Sequence, residues 1–291
     1  MHLGNIWAAL LSWLSAKSRG GRWVLRIEDI DPQRSRPEYT RWIEDDLQWL
    51  GLTWDAEFIQ SERTDRYEQA LSLLTDQGHT FPLFRSRHER LASSAPHTLT
   101  PTQPPHTPTS NTPTWDAGGS PAIRRQTATH ETAATALRLP DTAITFNDGL
   151  YGRQTLPLDP AYDMILRRAD GAWAYQLAVV VDDADMGITE VVRGRDLLTS
   201  VPRQLYLYTL LGLTPPDFIH IPLLVNAQGQ RLCKRDKSLD MSVLRSQYTP
   251  ADILGRLAHA ARLIPTPEPL TAQQLLPLFR WDHIPTADIC F

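Results

Sequence analysis

The chain has 291 residues, 42% of them hydrophobic, and a formal charge of −4, which gives enough apolar material for one large α/β core and rules out a uniformly basic coat for nucleic acid. Its two cysteines, Cys233 and Cys290, are too few for a disulfide scaffold or a cysteine-built metal site and fit a reducing cytoplasm. The apolar run from Ile6 to Leu14 is too short for a membrane span and lacks the preceding basic region of a signal peptide.

Ile6, Leu10, Leu11 and Leu14 form an apolar stripe at helical spacing, so a helix is expected over 4–17, ended by Gly20-Gly21. Trp23 to Ile27 follows as a buried strand that runs into the acidic stretch Glu28-Asp29-Ile30-Asp31-Pro32. In an open α/β sheet that carboxyl end of a strand is where ligands lie. Helices are expected over 37–50, with Pro37 suited to a first turn, and over 62–75. Residues 92–122 hold seven prolines amid Ser and Thr, the composition of a long surface loop or disordered segment.

Tyr162 to Arg168 and Trp173 to Val181 are expected to be extended, a hairpin or sheet pair about the turn Ala169-Asp170-Gly171-Ala172. A helix is expected over 196–211, with Leu197, Leu198, Val201, Leu205 and Tyr208 on its apolar face and Pro202 delaying its start or kinking it. Ile219 to Val225 is the next strand, followed by a tight turn over 226–229. Beyond Asp240, helices over 241–248, 250–263 and 271–279, divided by Pro265-Thr266-Pro267, make a small helical appendix.

Four patterns can carry chemistry. His2-Leu3-Gly4-Asn5 opens the first helix, where backbone N–H groups attract phosphate, Gly4 permits close approach, and His2 and Asn5 can point the same way; a solvated terminus is the bland alternative. Arg231-Leu232-Cys233-Lys234-Arg235-Asp236-Lys237-Ser238 follows a strand and turn, and its cations can pair with a triphosphate and stabilise a departing pyrophosphate, or simply form a solvated basic turn. The chain has 26 arginines and 3 lysines, so a lysine kept at 234 and at 237 hints that a compact, mobile ammonium is wanted there.

The third pattern is Arg26-Ile27-Glu28-Asp29-Ile30-Asp31. Asp31 before Pro32 has a structural explanation in Asx-type bonding, which leaves Glu28 as the better candidate for a substrate ammonium. The fourth is Tyr175-Gln176, hydrogen-bonding groups in an otherwise core-like stretch expected to be a central strand, together with Arg193-Gly194, whose guanidinium can hold a carboxylate bidentately.

As an ensemble these residues resemble the glutamate-specific branch of the class I aminoacyl-tRNA synthetases, over nearly the whole chain. His2-Leu3-Gly4-Asn5 looks like the first nucleotide signature of that family and Arg231-Leu232-Cys233-Lys234-Arg235 like the second, with Lys234 at its main catalytic lysine. Arg26 to Asp31, Tyr175 to Asp183, Val192 to Leu198 and Pro202-Arg203-Gln204 lie between them in the family's order. The resemblance implies a Rossmann-like α/β core with a mostly parallel sheet, formed by residues 1–80 and 161–240, an inserted acceptor-contact region at 81–160 and the helical appendix at 241–291. It also implies that Glu28, Tyr175 and Arg193 contact glutamate, that His2, Gly4, Asn5 and Lys234 bind ATP with magnesium, and that His2, Asn5 and Lys234 serve the chemistry.

Only about 50 residues follow the Lys234 loop, which resembles the compact paralogues that transfer glutamate to queuosine at the wobble position of tRNA(Asp). The implied partners are that RNA and glutamate, with no membrane, in a cytoplasmic monomer. The family places a strand and an arginine-bearing loop before His2, so the expected core lacks its first strand. The region after the third helix has Phe81 to Arg85 and Trp115 to Gly119 where the family often has zinc-binding cysteines, so structural zinc is not expected. An inactive RNA-binding descendant, or a fragment like the catalytic half of a glutamyl-tRNA synthetase, is the alternative.

Overall fold

The structure, a computed structural model, describes residues 1–84, 133–159, 163–230 and 240–291. It opens with α1 (Leu3–Ser18), in which Leu3, Ile6, Trp7, Leu10, Leu11, Trp13 and Leu14 are all buried. A helix buried around so much of its circumference sits inside a layer rather than on a surface. The indole of Trp7 donates to the Pro222 carbonyl at 2.8 Å and that of Trp13 to the Thr53 carbonyl at 3.1 Å, so neither buried N–H is orphaned.

Strand β1 (Val24–Ile27) pairs in parallel with β2 (Ala56–Ile59), the two linked through α2 (Pro37–Trp49), whose Pro37 sits in the first turn where no backbone donor is needed. A short 3-10 turn, Gln60–Arg63, then leads into α3 (Thr64–Asp76). Three strands, β3 (Thr80–Leu83), β4 (Ala134–Leu137) and β7 (Met164–Arg167), form an antiparallel sheet in the order β3-β4-β7. A hairpin, β5 (Thr142–Asp148) with β6 (Gly152–Leu158), extends a second sheet in which β9 (Asp217–Ile221) lies parallel to both β5 and β8 (Glu190–Gly194). The expected 92–122 loop lies outside the described residues.

Some expectations are overturned. The stretch expected to be extended, Trp173 to Val181, is helical from Tyr175 onward, as α4 (Tyr175–Asp185). Leu177 to Asp183 are all buried, so the run has no polar face to reveal a helical period, and three consecutive valines bias the sequence toward a strand. The expected hairpin survives only as far as the turn: Arg167 bridges to Trp173, and the Arg168 N–H donates to the Ala172 carbonyl at 2.8 Å. Pro202 behaves as expected, lying in the first turn of α5 (Val201–Leu211) after a 3-10 turn over Arg195–Ser200, and Gly212 closes α5 in the left-handed region at φ 66°. The expected 219–225 strand is broken at Pro222 into β9 and the short β10 (Leu224–Val225).

Two apolar clusters result. One joins α3, α4, α5 and β7 through residues such as Tyr67, Leu74, Leu166, Leu177, Val180 and Tyr208. The other joins α1 and β1 to the tail helices α6 (Met241–Gln247), α7 (Pro250–Ala260) and α8 (Ala272–Leu275). Thr249 caps α7 and Thr271 caps α8, each accepting from the backbone N–H three residues on. The tail ends in β11 (Ile289–Cys290), parallel to β10, an element too short to show in the sequence pattern. Gly255 of α7 lies so close to the following segment that a Cβ there would meet the Glu268 carbonyl oxygen at 1.8 Å.

Candidate functional site

His2 is the N-cap of α1, and its carbonyl accepts from the Asn5 and Ile6 N–H groups at 2.9 and 3.3 Å. Asn5 returns the contact, its side-chain oxygen accepting from the His2 N–H at 3.3 Å. A Cβ on Gly4 would lie 3.1 Å from the His2 ring, so glycine there lets the imidazole fold against the first turn. His2 also bridges to Asp240, and the Met241 N–H donates to the Met1 carbonyl at 3.0 Å. Asp240 lies six positions after Lys234 in sequence, so the chain returning from the lysine stretch is anchored beside the start of α1. Lys234 itself, with the whole stretch 231–239, lies outside the described residues.

The carboxyl end of β1 carries a second group. Arg26 donates to Asp183 of α4 and, through Nη2, to Glu28 Oε1 at 3.1 Å. Burial opposes the guanidinium charge, but Asp183 and Glu28 outweigh it and hold its pKa above the ordinary range. Arg26 therefore spends its charge on two carboxylates of this chain. Asp29 is committed too: it accepts from the Ser61 N–H and hydroxyl at 2.8 and 2.7 Å. Asp31 accepts from the Gln33 N–H at 3.1 Å, the expected Asx bond, and from Arg168 at 2.9 Å. Glu28, 40% exposed at its side chain, is the acid on this turn with an open face.

Tyr175 stands in the first turn of α4, not on a strand, and its phenol lies within electrostatic reach of both Glu28 and Arg193. Burial foremost, and then the Glu28 carboxylate, push its pKa up to about 12, against the opposing pull of Arg193 and Arg26. It is accordingly a neutral hydrogen-bonding group across the physiological range. The helix thus brings Glu28, Tyr175 and Arg193 to one place, for a different local reason than the sequence suggested. A cavity of about 590 Å³ begins one residue further along, lined by Asp29, Asp31, Ser61, Asp65, Arg167 and Trp173, and includes none of these three.

Arg193 is held by groups that sequence reasoning did not single out as a set. Across the β8–β9 register it lies opposite His220, and its Nε donates to His220 Nε2 at 3.0 Å. Nη2 donates to Gln204 Oε1 at 2.8 Å, and Gln204 in turn donates to Gln176 Oε1 at 2.9 Å, beside Tyr175. The Phe218 ring lies 5.0 Å from the guanidinium carbon. Both acceptors are neutral, so the positive charge is oriented without being cancelled. The signal was present in the sequence as a lone histidine inside an apolar strand, Phe218-Ile219-His220-Ile221, and as the buried Gln204. A Cβ at Gly194 would lie 2.5 Å from the Asp196 carboxylate oxygen and 3.1 Å from a Leu223 methyl, so the Asp196 side chain would have to shift.

Comparison with known proteins shows the family. Residues 1–262 match the model of the catalytic domain of class I tRNA synthetases (E and Q). A glutamyl-Q tRNA(Asp) synthetase of Nitratidesulfovibrio vulgaris is 42% identical over 98% of this chain and 90% of its own length, and one from Symbiobacterium thermophilum is equally similar. A glutamate–tRNA ligase of Thermosynechococcus vestitus is 39% identical over 84% of this chain but only 51% of its own length. Among solved structures, a glutamate tRNA ligase from Elizabethkingia meningosepticum in complex with its amino acid shares the fold, with a TM-score of 0.77 at 23% identity. The chain spans 64% of that protein's length.

Proposed function

The chain belongs to the class I tRNA synthetases (E and Q), and we propose that it activates glutamate with MgATP and transfers it to queuosine at the wobble position of tRNA(Asp). The observation that carries the glutamate part is an arginine, Arg193, fixed by two neutral acceptors beside a neutral phenol, Tyr175, and an acid, Glu28. A substrate carrying a carboxylate and an ammonium, as glutamate does, is complementary to that set. The relatives that match nearly the whole chain and are themselves covered to 90% are glutamyl-Q tRNA(Asp) synthetases, which favours queuosine over a terminal ribose as acceptor.

In this reading Arg193 pairs with the side-chain carboxylate of glutamate, Glu28 accepts from its ammonium, and Tyr175 donates a hydrogen bond. The α-carboxylate then attacks the α-phosphorus of ATP; the bond to the bridging oxygen breaks and pyrophosphate leaves, giving glutamyl-adenylate. His2, Gly4 and Asn5 at the start of α1 orient the phosphates, and Lys234 stabilises the charge that develops on them. An acceptor hydroxyl next attacks the activated carbonyl and AMP departs. Magnesium is proposed to enter with the triphosphate as part of the substrate. No described helix is long and apolar enough to cross a membrane, and the working form is proposed as a monomer in the cytoplasm.

The test is exchange of labelled pyrophosphate into ATP with queuosine-bearing tRNA(Asp) present. Exchange that requires glutamate, and that aspartate and glutamine do not support, is expected. Exchange independent of the amino acid, or none, contradicts the reading and favours an inactive RNA-binding descendant.

A further inference from the structure

Three adjacent strands of one sheet carry a continuous polar line through an apolar core. Asp148 ends β5, which pairs with β9 at Phe218, and His220 sits two residues further along β9, opposite Arg193 of β8. Asp148 and His220 are both buried, His220 completely. The Asp148 carboxylate accepts from the Leu150 and Tyr151 N–H groups at 3.0 and 2.9 Å, from the His220 N–H at 3.1 Å, and lies 2.6 Å from His220 Nδ1. An aspartate so supplied with donors is held ionised, its pKa lowered by the His220 bond and the turn N–H groups against the opposing effect of burial.

A carboxylate facing Nδ1 demands a proton on that nitrogen, and a neutral imidazole with its proton on Nδ1 presents a lone pair at Nε2. The donor it meets there is Arg193 Nε. Such an arrangement is costly to build inside a core unless every member is satisfied. It does for Arg193 what a directly paired carboxylate cannot: it fixes the plane of the guanidinium and leaves its charge available. Arg26, whose charge like that of Arg193 reaches Tyr175, shows the contrast, since its partners Asp183 and Glu28 are both anionic.

We infer that His220 is a positioning residue for the amino-acid substrate: Asp148 sets its tautomer, and its Nε2 aims the Arg193 guanidinium at the substrate carboxylate without neutralising it. This rests on the reading of Arg193 as a glutamate contact. With Nε and one Nη2 hydrogen committed to His220 and Gln204, Arg193 meets that carboxylate through its remaining Nη hydrogens, end-on rather than through its Nε side. With only that end free, one carboxylate is met at one depth, a basis for preferring glutamate over its shorter homologue.

The experiment uses the full chain and the variants His220→Asn and His220→Gln, with KM for glutamate and for ATP measured separately in pyrophosphate exchange. An asparagine amide reproduces the donor at Nδ1 and keeps the Asp148 contact, but does not reach Arg193; a glutamine reproduces the acceptor at Nε2. For His220→Asn the glutamate KM should rise at least tenfold while the ATP KM stays within twofold, and His220→Gln should recover part of the loss. Parallel rises in both KM values, or an unchanged glutamate KM, overturn the inference. Histidine 15N shifts of the wild-type chain provide a readout that needs neither folded variants nor activity. A proton on Nδ1 with Nε2 bare supports the arrangement, and a proton on Nε2 overturns it. If the wild type shows no glutamate-dependent exchange, the functional reading fails, while the 15N result still decides the tautomer on which the inference stands.

Discussion

The carboxylate of Asp182 is wholly buried and accepts from Arg63 Nε at 2.6 Å, tying α4 to the turn that precedes α3. Gln60 and Tyr67 complete its shell at 2.8 and 2.9 Å. Removing one partner of a buried pair leaves the other charge uncompensated, which costs about 3–5 kcal/mol. Arg63→Met should therefore lower unfolding free energy by roughly that amount, whereas Asp182→Asn, which removes the charge itself, should cost less. Urea unfolding of the two variants checks the order; an Arg63→Met protein as stable as the wild type would show that the pair does not hold α4.

Burial lowers the His220 pKa below its ordinary 6.5; the Asp148 bond opposes that, Arg193 adds to the lowering, and Asp196 exerts a weaker upward pull. A histidine kept neutral in the folded state contributes stability that is present above the unfolded pKa and is lost as pH falls toward the folded one. The Asp148 contribution, from a lowered carboxylate pKa, is lost only at more acidic pH. Wild-type stability should thus decline as pH drops from 7 through 6 toward 5, and His220→Asn should flatten that first decline. Thermal unfolding at half-unit pH steps measures it.

Much of this was legible in the sequence, and the failures have physical causes. Apolar spacing placed α1, and Pro37 the start of α2, to within one residue, α3 was placed to within two, and the helix expected over 196–211 begins only at Val201, beside Pro202. The resemblance named Glu28, Tyr175 and Arg193, and the fold puts Tyr175 within electrostatic reach of the other two. α4 was misread because Leu177 to Asp183 are buried without a break, so Val179-Val180-Val181 looked like a strand. His220 and Asp148 meet across 72 positions, and only strand register could pair them.

Arg193→Lys keeps the charge and removes the fork. A lysine cannot bond His220 and Gln204 together while meeting a carboxylate in the same plane. Losing charge-assisted bonds of about 1.5–3 kcal/mol each should raise the glutamate KM on the order of tenfold to a hundredfold, with the ATP KM little changed. Steady-state exchange kinetics decide it; equal effects on both substrates would place Arg193 in the scaffold instead.

Tyr175, with its pKa pushed up to about 12, stays protonated at any pH at which the protein would be assayed. Tyr175→Phe should cost about 1 kcal/mol of substrate binding and leave the shape of the activity profile between pH 6 and 9 unaltered. A profile whose alkaline limb moves in the variant would show that the phenol titrates during turnover.

Gly255→Ala probes the docking of the tail. The new methyl would fall 1.8 Å from the Glu268 carbonyl oxygen, a backbone atom that cannot turn aside. Overpacking of that kind costs about 1–3 kcal/mol, and since α7 shares its apolar cluster with α1 the whole domain should lose thermal stability in one transition. A separate early transition would show that the tail melts independently.

The most direct measurement is transfer of labelled glutamate onto tRNA(Asp) with and without queuosine, in the presence of ATP and magnesium, using the 291-residue chain. Label on the queuosine-bearing RNA alone is the predicted result. Label on neither RNA, or on both equally, would contradict the account.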